Sequence, residues 1–427
     1  MIRPDPPRAP FALPWDDPAA PDPVVALTAA RADLGDTFVV VSGDRPTLFV
    51  FGAAAVAALY ALPEATASKG LADYRMLLRK LPDELFAGRR TFAHDLFGAR
   101  EVETYLGHLD VAIERQLAEL GPAGHFDVFG LARRVGHRLA LGCWMGPAAT
   151  EPPLLDRLVA AMDVLDGSEA FVHPERMAAI AAAGKRDERA ALDAVRDAVA
   201  SQLDPAAPEA SPGFLGEIAA RWADVDGDER VNGVTGDVVL LHIATMTNLI
   251  AALGWTLGEL VLHPDALGRV EAGDGAFLER AALEAIRLGQ HSIITREVLR
   301  PCVLDDGAVG YELEPGTHLA TMVPLTNRSA APGLDGYDPD RWDGRRLRDE
   351  AVLAAPELVT TFGHGPHRCP AQRFSMRAIT LTVQRLVDHY ELVAEFDELR
   401  ARPGQIGGVA RAADPCPVAY RARVATR

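Results

Sequence analysis

The stretch Thr361-Phe-Gly-His-Gly-Pro-His-Arg-Cys-Pro-Ala-Gln-Arg-Phe374 places one cysteine, Cys369, in a loop that is rich in glycine. Gly363 and Gly365 permit backbone turns that other residues avoid. Apolar residues at helical spacing from 372 to 387 predict a helix directly after the loop. A helix N-terminus favours an anion, and the anionic form of a cysteine is its thiolate. A lone intracellular cysteine is otherwise most often a buried packing residue, and that alternative applies here too.

The pattern Phe362-Gly-x-Gly-x-His-x-Cys369-x-Ala371 resembles the haem-binding signature of the cytochrome P450 family. The resemblance implies that the Cys369 thiolate is the axial ligand of the iron of haem b. It also implies that Phe362, Gly363 and Ala371 help to hold the haem, with Ala371 standing where glycine is commonest. The fold implied is mainly α with a small β-rich lobe.

Composition narrows the class of protein. A chain of 427 residues that is 48% hydrophobic and 24% charged can bury a large core. Its net charge of −17 argues against a nucleic acid or an anionic membrane as partner. No apolar run near the N-terminus is long enough to span a membrane, so we expect a soluble cytoplasmic protein. Cys143, Cys302, Cys369 and Cys416 are too far apart for a metal-ligand motif or a disulfide framework.

The order of patterns along the chain predicts its organisation. Residues 1–35 are expected to form an N-terminal arm and a first helix, and residues 36–427 a single haem-thiolate catalytic domain. Two β-rich runs between Asp36 and Phe51 predict a hairpin. Residues Leu85 to Phe97 are amphipathic and predict a helix that carries Phe86 and Arg90 one turn apart.

The longest helical pattern runs from Asn232 to His263, and its centre is almost free of charge, which predicts a helix through the core. The resemblance implies that this helix crosses the distal face of the haem, where the family usually presents an acidic residue followed by threonine. Here Thr247 occupies the position of the acid and Asn248 that of the threonine. The acid and alcohol pair is therefore absent from this helix.

An amide does not titrate near neutral pH, so Asn248 could hold a polar group without relaying protons. The alternative is a polar residue that bonds within its own helix. Asparagine at this position is similar to the prostacyclin synthase and cholesterol 7α-hydroxylase branch. Since that branch contains both peroxide-rearranging and oxygen-using enzymes, the substitution leaves both chemistries open.

Glu284 and Arg287 lie three residues apart on one predicted helix face. They resemble the family's Glu-x-x-Arg motif, which Arg341 would complete as a structural lock. The resemblance further implies that Arg90, Arg296 and His367 neutralise the haem propionates. It also implies a mainly apolar pocket lined by Ile243, Ala244, Leu249, Ala251, Ser292, Ile293 and Ile294.

Two functions follow from the resemblance. The first is a monooxygenase that inserts oxygen into a C–H bond of a small, mainly apolar secondary metabolite or lipid-like compound. It would take electrons from a ferredoxin or flavodoxin, and we expect it to be a monomer. The second is an isomerase, lyase or transferase-type enzyme that needs no reductase, because its substrate already carries an O–O or N–O bond.

Overall fold

One 36-residue helix forms the centre of the computed structural model, which describes residues 2–3, 5–13, 22–42, 45–89, 97–166, 173–203, 214–344 and 352–423. The helices among these residues are α1 (Pro23–Leu34), α2 (Ala53–Ala61), α3 (Lys69–Leu78), α4 (Ala99–Leu106), α5 (Leu109–Leu120), α6 (Val128–Met145), α7 (Leu154–Asp166), α8 (Pro174–Ala182), α9 (Arg186–Leu203), α10 (Phe214–Arg221), α11 (Gly227–Leu262), α12 (Pro264–Glu271), α13 (Gly275–Gly289), α14 (Val323–Ser329) and α15 (Gln372–His389).

Within the described ranges the strands form three small sheets. Their bounds are β1 (Ile2–Arg3), β2 (Thr37–Ser42), β3 (Arg45–Val50), β4 (Ala67–Ser68), β5 (Ala123–Asp127), β6 (Ile293–Val298), β7 (Cys302–Asp305), β8 (Gly310–Leu313), β9 (His318–Met322), β10 (Tyr390–Ala394) and β11 (Pro417–Ala422). The largest sheet has the order β2-β3-β9-β6-β4, and the other two are β1-β8-β7 and β10-β11-β5. The prediction of a mainly α fold with a small β-rich lobe is confirmed.

The central helix α11 packs against α6, α13 and α15. Glycine allows the closest of these approaches, because a Cβ atom on Gly289 would lie 2.7 Å from Trp255, and one on Gly136 would lie 2.5 Å from Ile250. Among the described residues α11 is also the one helix long and apolar enough to cross a membrane, yet 78% of its most apolar window is buried inside the protein. A core position accounts for its composition.

Two sequence predictions about local structure need comment. The hairpin between Asp36 and Phe51 is confirmed by antiparallel pairing of β2 with β3. The helix from Leu85 to Phe97 is wrong at its start, because Asp83–Phe86 is a single 3-10 turn and Gly88 has a φ of +77°. Arg90 lies outside the described residues, so its pairing with Phe86 remains a prediction.

Candidate functional site

The loop before α15 holds Cys369 in a fixed position. The Cys369 amide donates to the carbonyl oxygen of Phe362 at 2.7 Å, and the Gly363 amide donates to Thr360 Oγ1 at 2.7 Å. Gly363 has a φ of +77°, and a Cβ atom there would lie 3.0 Å from the His367 carbonyl oxygen. Only glycine therefore fits the turn that presents the cysteine. Ala371, at the start of α15, is buried.

Burial raises the pKa of the Cys369 thiol, opposed by the Ala371 backbone and by the charge of Arg368. Coordination to a metal ion would deprotonate such a thiol. In the described part of the chain no group of three or more His, Cys, Asp or Glu side chains is placed to hold a metal ion. A metal bound through Cys369 would thus need most of its ligands from a cofactor.

An exposed stripe interrupts the buried surface of α11. Ala244 is exposed, and Leu240, Ile243 and Asn248 are half-buried, although most of this helix is buried. At 3.6 residues per turn, Asn248 lies about 40° and Leu240 about 40° on either side of Ala244 around the helix axis. An exposed alanine in the middle of a core helix indicates a cavity in front of it.

The amide of Asn248 is already bonded on both sides. Its Oδ1 accepts from the backbone nitrogen of Val409 at 3.1 Å, and its Nδ2 donates to the Ala244 carbonyl oxygen at 3.2 Å. A Cβ atom on Gly408, whose φ is +68°, would lie 2.0 Å from Asn248 Oδ1. The amide therefore fixes the C-terminal loop against α11.

The hydroxyl of Thr247 has an acidic partner that no sequence pattern predicts. Thr247 Oγ1 donates to Asp166 Oδ1 at 2.7 Å, across a separation of 81 residues. Asp166 is the last residue of α7, and Arg411 Nη2 lies 3.5 Å from its other oxygen. Burial raises the pKa of Asp166, while the Thr247 hydrogen bond opposes that shift. An acid and an alcohol are thus paired here, but they come from two helices.

A chain of hydrogen bonds links the cysteine loop to the C-terminal loop at Gly408, which in turn contacts α11 through Asn248. Gln290 Nε2 donates to the Thr361 carbonyl oxygen at 2.7 Å, and Ser292 Oγ donates to Gln290 Oε1 at 2.9 Å. The His291 amide then donates to the carbonyl oxygen of Gly408, next to Val409, at 2.8 Å. These bonds join the cysteine loop, the segment that begins at Gln290 and the C-terminal loop, and we call these three segments the rim of the site.

The two described propionate partners share one carboxylate of the protein. Arg296 is fully buried on β6, where its Nη1 donates to the carbonyl oxygens of Leu62 and Ala67 at 2.7 Å and lies 3.5 Å from Glu64 Oε1. His367 Nε2 also contacts Glu64 Oε1. Hydrogen bonds from Ser68, Lys69, His367 and Gly70 hold the pKa of Glu64 down at about 2, although burial opposes them. The Glu64 carboxylate therefore already pairs with the two side chains that the resemblance assigns to the haem propionates.

The predicted lock residues meet around one buried carboxylate. Arg287 donates to both oxygens of Glu284, at 2.9 and 2.7 Å, and Arg341 Nε donates to Glu284 Oε1 at 2.7 Å. Trp342 Nε1 donates to Glu284 Oε2 at 3.0 Å, a partner that the sequence analysis missed. The side chains of Glu284 and Arg287 have no exposed surface. This carboxylate fixes the segment around Arg341 against α13.

The proposed pocket residues fall into two groups. Ile243 and Ala244 belong to the exposed stripe, and Ser292, Ile293 and Ile294 are half-buried on the rim. Leu249 needs correction, because it lies about 140° from Ala244 around the axis of α11 and is buried in the core. Ala251 lies about 20° from Ala244 but is fully buried.

These features fit a haem group. A thiol stands in a stiff glycine loop, a stripe of small and apolar side chains is exposed in the middle of the core helix α11, and a buried arginine lies on β6. Cys369 would hold the iron, and Phe362 would lie against the ring. The competing carboxylate of Glu64 is the one feature that opposes the fit.

Comparison with known proteins agrees with this geometry. No family model matches the chain. A sterol 14alpha-demethylase of Mycolicibacterium vanbaalenii is 26% identical over 262 residues, which cover 56% of this chain and 57% of that protein. The human 24-hydroxycholesterol 7-alpha-hydroxylase is 23% identical over 211 residues, covering 44% of this chain and 43% of that protein. The chain thus matches about half the length of these curated relatives.

A solved structure described as retinoic acid-bound cyanobacterial CYP120A1 superposes with a TM-score of 0.76, covering 98% of this chain and 100% of that one at 18% identity. The chain thus has the cytochrome P450 fold, and part of its sequence is similar to proteins named cytochrome P450.

Proposed function

We propose that the chain binds haem b through Cys369 and acts as a monooxygenase that inserts oxygen into a C–H bond of a small, mainly apolar compound. The observation that best supports this proposal is the hydrogen-bonded link from the Cys369 loop through Gln290 and Gly408 to the exposed stripe of α11. A b-type haem is favoured because the sequence has no Cys-x-x-Cys-His attachment motif.

Bound haem would supply the redox chemistry that activates dioxygen. The residues of the chain would bind and orient the substrate and move protons. Ile243, Ala244, Ile293 and Ile294 offer apolar surface on two sides of the cavity. Asn248 would act by positioning the loop at Val409, because both polar atoms of its amide are bonded to the backbone.

The substrate class is a lipid-like compound or an apolar secondary metabolite. Apolar lining with few polar groups is typical of sites that bury most of a ligand's surface. Two of the similar proteins carry sterol names and a third is described with bound retinoic acid. These names support a lipid-like substrate for the present chain as well.

Electrons would come from a ferredoxin or flavodoxin that docks beside Cys369. An open depression of about 340 Å³ lies there, lined by Arg368, Cys369, Pro370, Gln372, Arg373 and Met376. Arg368 and Arg377 are exposed and have no carboxylate partner among the described residues, so they would attract an acidic protein. Arg89 contributes little, because it pairs with Asp224 and stacks on Trp222.

We further propose that residues 36–427 form one catalytic domain that works as a cytoplasmic monomer, with 1–35 as an arm. The arm would be anchored to this domain, since Leu13 and Leu27 are buried against the β-rich lobe.

The ferrous carbon monoxide spectrum tests the haem ligand. Cys369→Ala should remove the red-shifted band that a thiolate ligand gives, while Cys416→Ala, a buried cysteine away from the loop, should keep it. An unchanged band in Cys369→Ala would refute the ligand assignment.

Turnover of a panel of sterols, retinoids and fatty acids, with and without NADH, ferredoxin and ferredoxin reductase, tests the reaction. A monooxygenase needs the electrons and dioxygen. Turnover of a hydroperoxide without electrons would instead establish the isomerase or lyase alternative.

A further inference from the structure

The hydroxyl of Thr247 behaves differently from two other threonine hydroxyls of α11. Thr235 and Thr256 each donate to the carbonyl oxygen four residues earlier, at 2.7 Å, which is the usual local bond of a helical threonine. Thr247 instead donates to Asp166 Oδ1 on α7 at 2.7 Å. Its two lone pairs remain available to accept a further hydrogen bond.

Thr247 is buried directly beside the exposed stripe of α11. It is about 60° from Ala244 around the helix axis, one turn further along the same side of α11. The hydroxyl can therefore bond Asp166 on one side and, after rotation about its Cβ–Oγ bond, point its hydrogen toward the space in front of Ala244.

Asp166 occupies an unfavourable position for a structural carboxylate. It ends α7, and the C-terminus of a helix favours cations rather than anions. Asp163 stands in the same last turn and is engaged by Arg133. Asp166 itself has 17% of its side chain exposed, and among the described residues Arg411 is the one cation within 4 Å of it, at 3.5 Å. The carboxylate thus has one long ion pair and keeps some exposure to water.

We propose that Asp166 and Thr247 form a proton relay to the cavity beside Ala244, in which α7 supplies the acid that α11 lacks. This inference rests on the proposed monooxygenase function, since reduction of dioxygen consumes protons. Asp166 acts through Thr247, so Asp166 is a positioning and donor residue behind the group that faces the cavity.

The relay conserves protons at each step. Water protonates the Asp166 carboxylate, whose O–H then donates to Thr247 Oγ1 and reverses the hydrogen bond seen in the structure. The Thr247 O–H is released from Asp166 and donates into the cavity. When that proton leaves, the Asp166 proton passes to Thr247, which restores the starting pair with one proton moved from water to the cavity.

Several charged groups surround this pair and shape its pH dependence. Arg411 faces Asp166 from the C-terminal loop, and Asp163 lies three residues earlier in the last turn of α7. His137 on α6 acts on Asp166 through its charge, as does Lys80. His137 Nδ1 also lies 3.2 Å from His242 Nε2 of α11, so this group of polar side chains extends to the central helix.

The test uses the haem-loaded enzyme with NADH, a ferredoxin and its reductase, and retinoic acid as the probe compound. In Asp166→Asn the NADH consumption rate should fall by about 10²-fold, the lower end of what a positioned proton donor contributes. Hydrogen peroxide released per NADH should rise. Thr247→Val should show the same fall in NADH consumption and the same rise in peroxide as Asp166→Asn. Thr247→Ser, which keeps the hydroxyl, should resemble the parent in both quantities.

A second readout needs no turnover. In infrared spectra of the oxidised enzyme taken as the pH is lowered, a carboxyl C=O band should appear when Asp166 is protonated, and this band should be absent in Asp166→Asn and shifted in Thr247→Val. The matched controls are Thr256→Val, a hydroxyl bonded within α11, and Asp237→Asn, a buried acid bonded to Trp222. Both should leave the band and the peroxide ratio unchanged.

Two results would overturn the inference in different ways. A parent enzyme that turns over without electrons would refute the monooxygenase function and the relay with it. A parent that requires electrons, together with an Asp166→Asn variant of equal rate and peroxide ratio, would refute the relay alone.

Discussion

The side-chain oxygen of Asn248 accepts a hydrogen bond from the backbone nitrogen of Val409 at 3.1 Å, which ties the middle of the central helix to the C-terminal loop. Gly408 makes this approach possible, since any side chain there would occupy the position of the amide. Asn248 thus has a defined structural partner 161 residues away.

Gly408→Ala should break this contact. Its φ of +68° costs a residue with a Cβ atom about 1–2 kcal/mol, and the added carbon would lie 2.0 Å from Asn248 Oδ1. We expect a loss of at least that size in the free energy of unfolding, measured with urea. Gly407→Ala is the matched control, because nothing lies within 4 Å of its Cβ position, and it should differ little from the parent. Equal losses in both variants would contradict the proposed contact.

Glu284→Gln should strongly destabilise the protein. It leaves Arg287, which has no exposed side-chain surface, without its counter-ion, and breaking a buried pair of this kind costs about 3–5 kcal/mol. Thermal and urea unfolding would measure the loss. Glu279→Gln, an exposed position on the same helix, should have almost no effect. A loss below about 1 kcal/mol, the size of a surface pair, would show that the carboxylate is not a structural centre.

Glu64→Gln should slow the release of haem. The Glu64 carboxylate competes with the haem propionates for Arg296 and His367, and glutamine removes its charge while keeping an acceptor for the amides of α3. Transfer of haem to an excess of apomyoglobin would measure the rate. Glu312→Gln, exposed on β8, serves as control. Faster release from Glu64→Gln than from the control would show that Glu64 organises the cations rather than competing for them.

Glu259 should make stability depend on pH. Burial, with a further contribution from Glu284, raises its pKa from 4.5 to about 7, while Arg328 opposes the shift. A carboxyl whose pKa is raised on folding contributes stability that is complete below its unfolded pKa and is lost as pH rises through the folded value. Glu259→Gln should therefore gain stability relative to the parent between about pH 4.5 and 8, by up to about 3 kcal/mol. A difference in unfolding free energy that stays constant over this range would contradict the raised pKa.

Sequence reasoning succeeded where the information is local. The Cys369 loop and the pairing of Glu284 with Arg287 are each encoded within a few residues, and periodicity is enough to find α11. It failed over Leu85 to Gly88, where amphipathic spacing predicts a helix but Gly88 adopts a positive φ that ends it.

The missed features all depend on contacts between distant segments. Glu64 meets His367 across 303 residues, and Thr247 meets Asp166 across 81. Each side chain alone is an ordinary polar residue with no pattern around it. Only the packing of α7 against α11 brings an acid to the position that the motif left empty.

The apolar length of α11 has a consequence for the unfolded chain. Once the surrounding helices separate, a segment apolar enough to enter a bilayer is exposed to water, and such segments associate with one another. Heating should therefore end in precipitation faster than in refolding, so that thermal midpoints depend on the scan rate. During synthesis, the same segment emerges well before α15 and the Cys369 loop that cover it, which makes the newly made chain a substrate for chaperones.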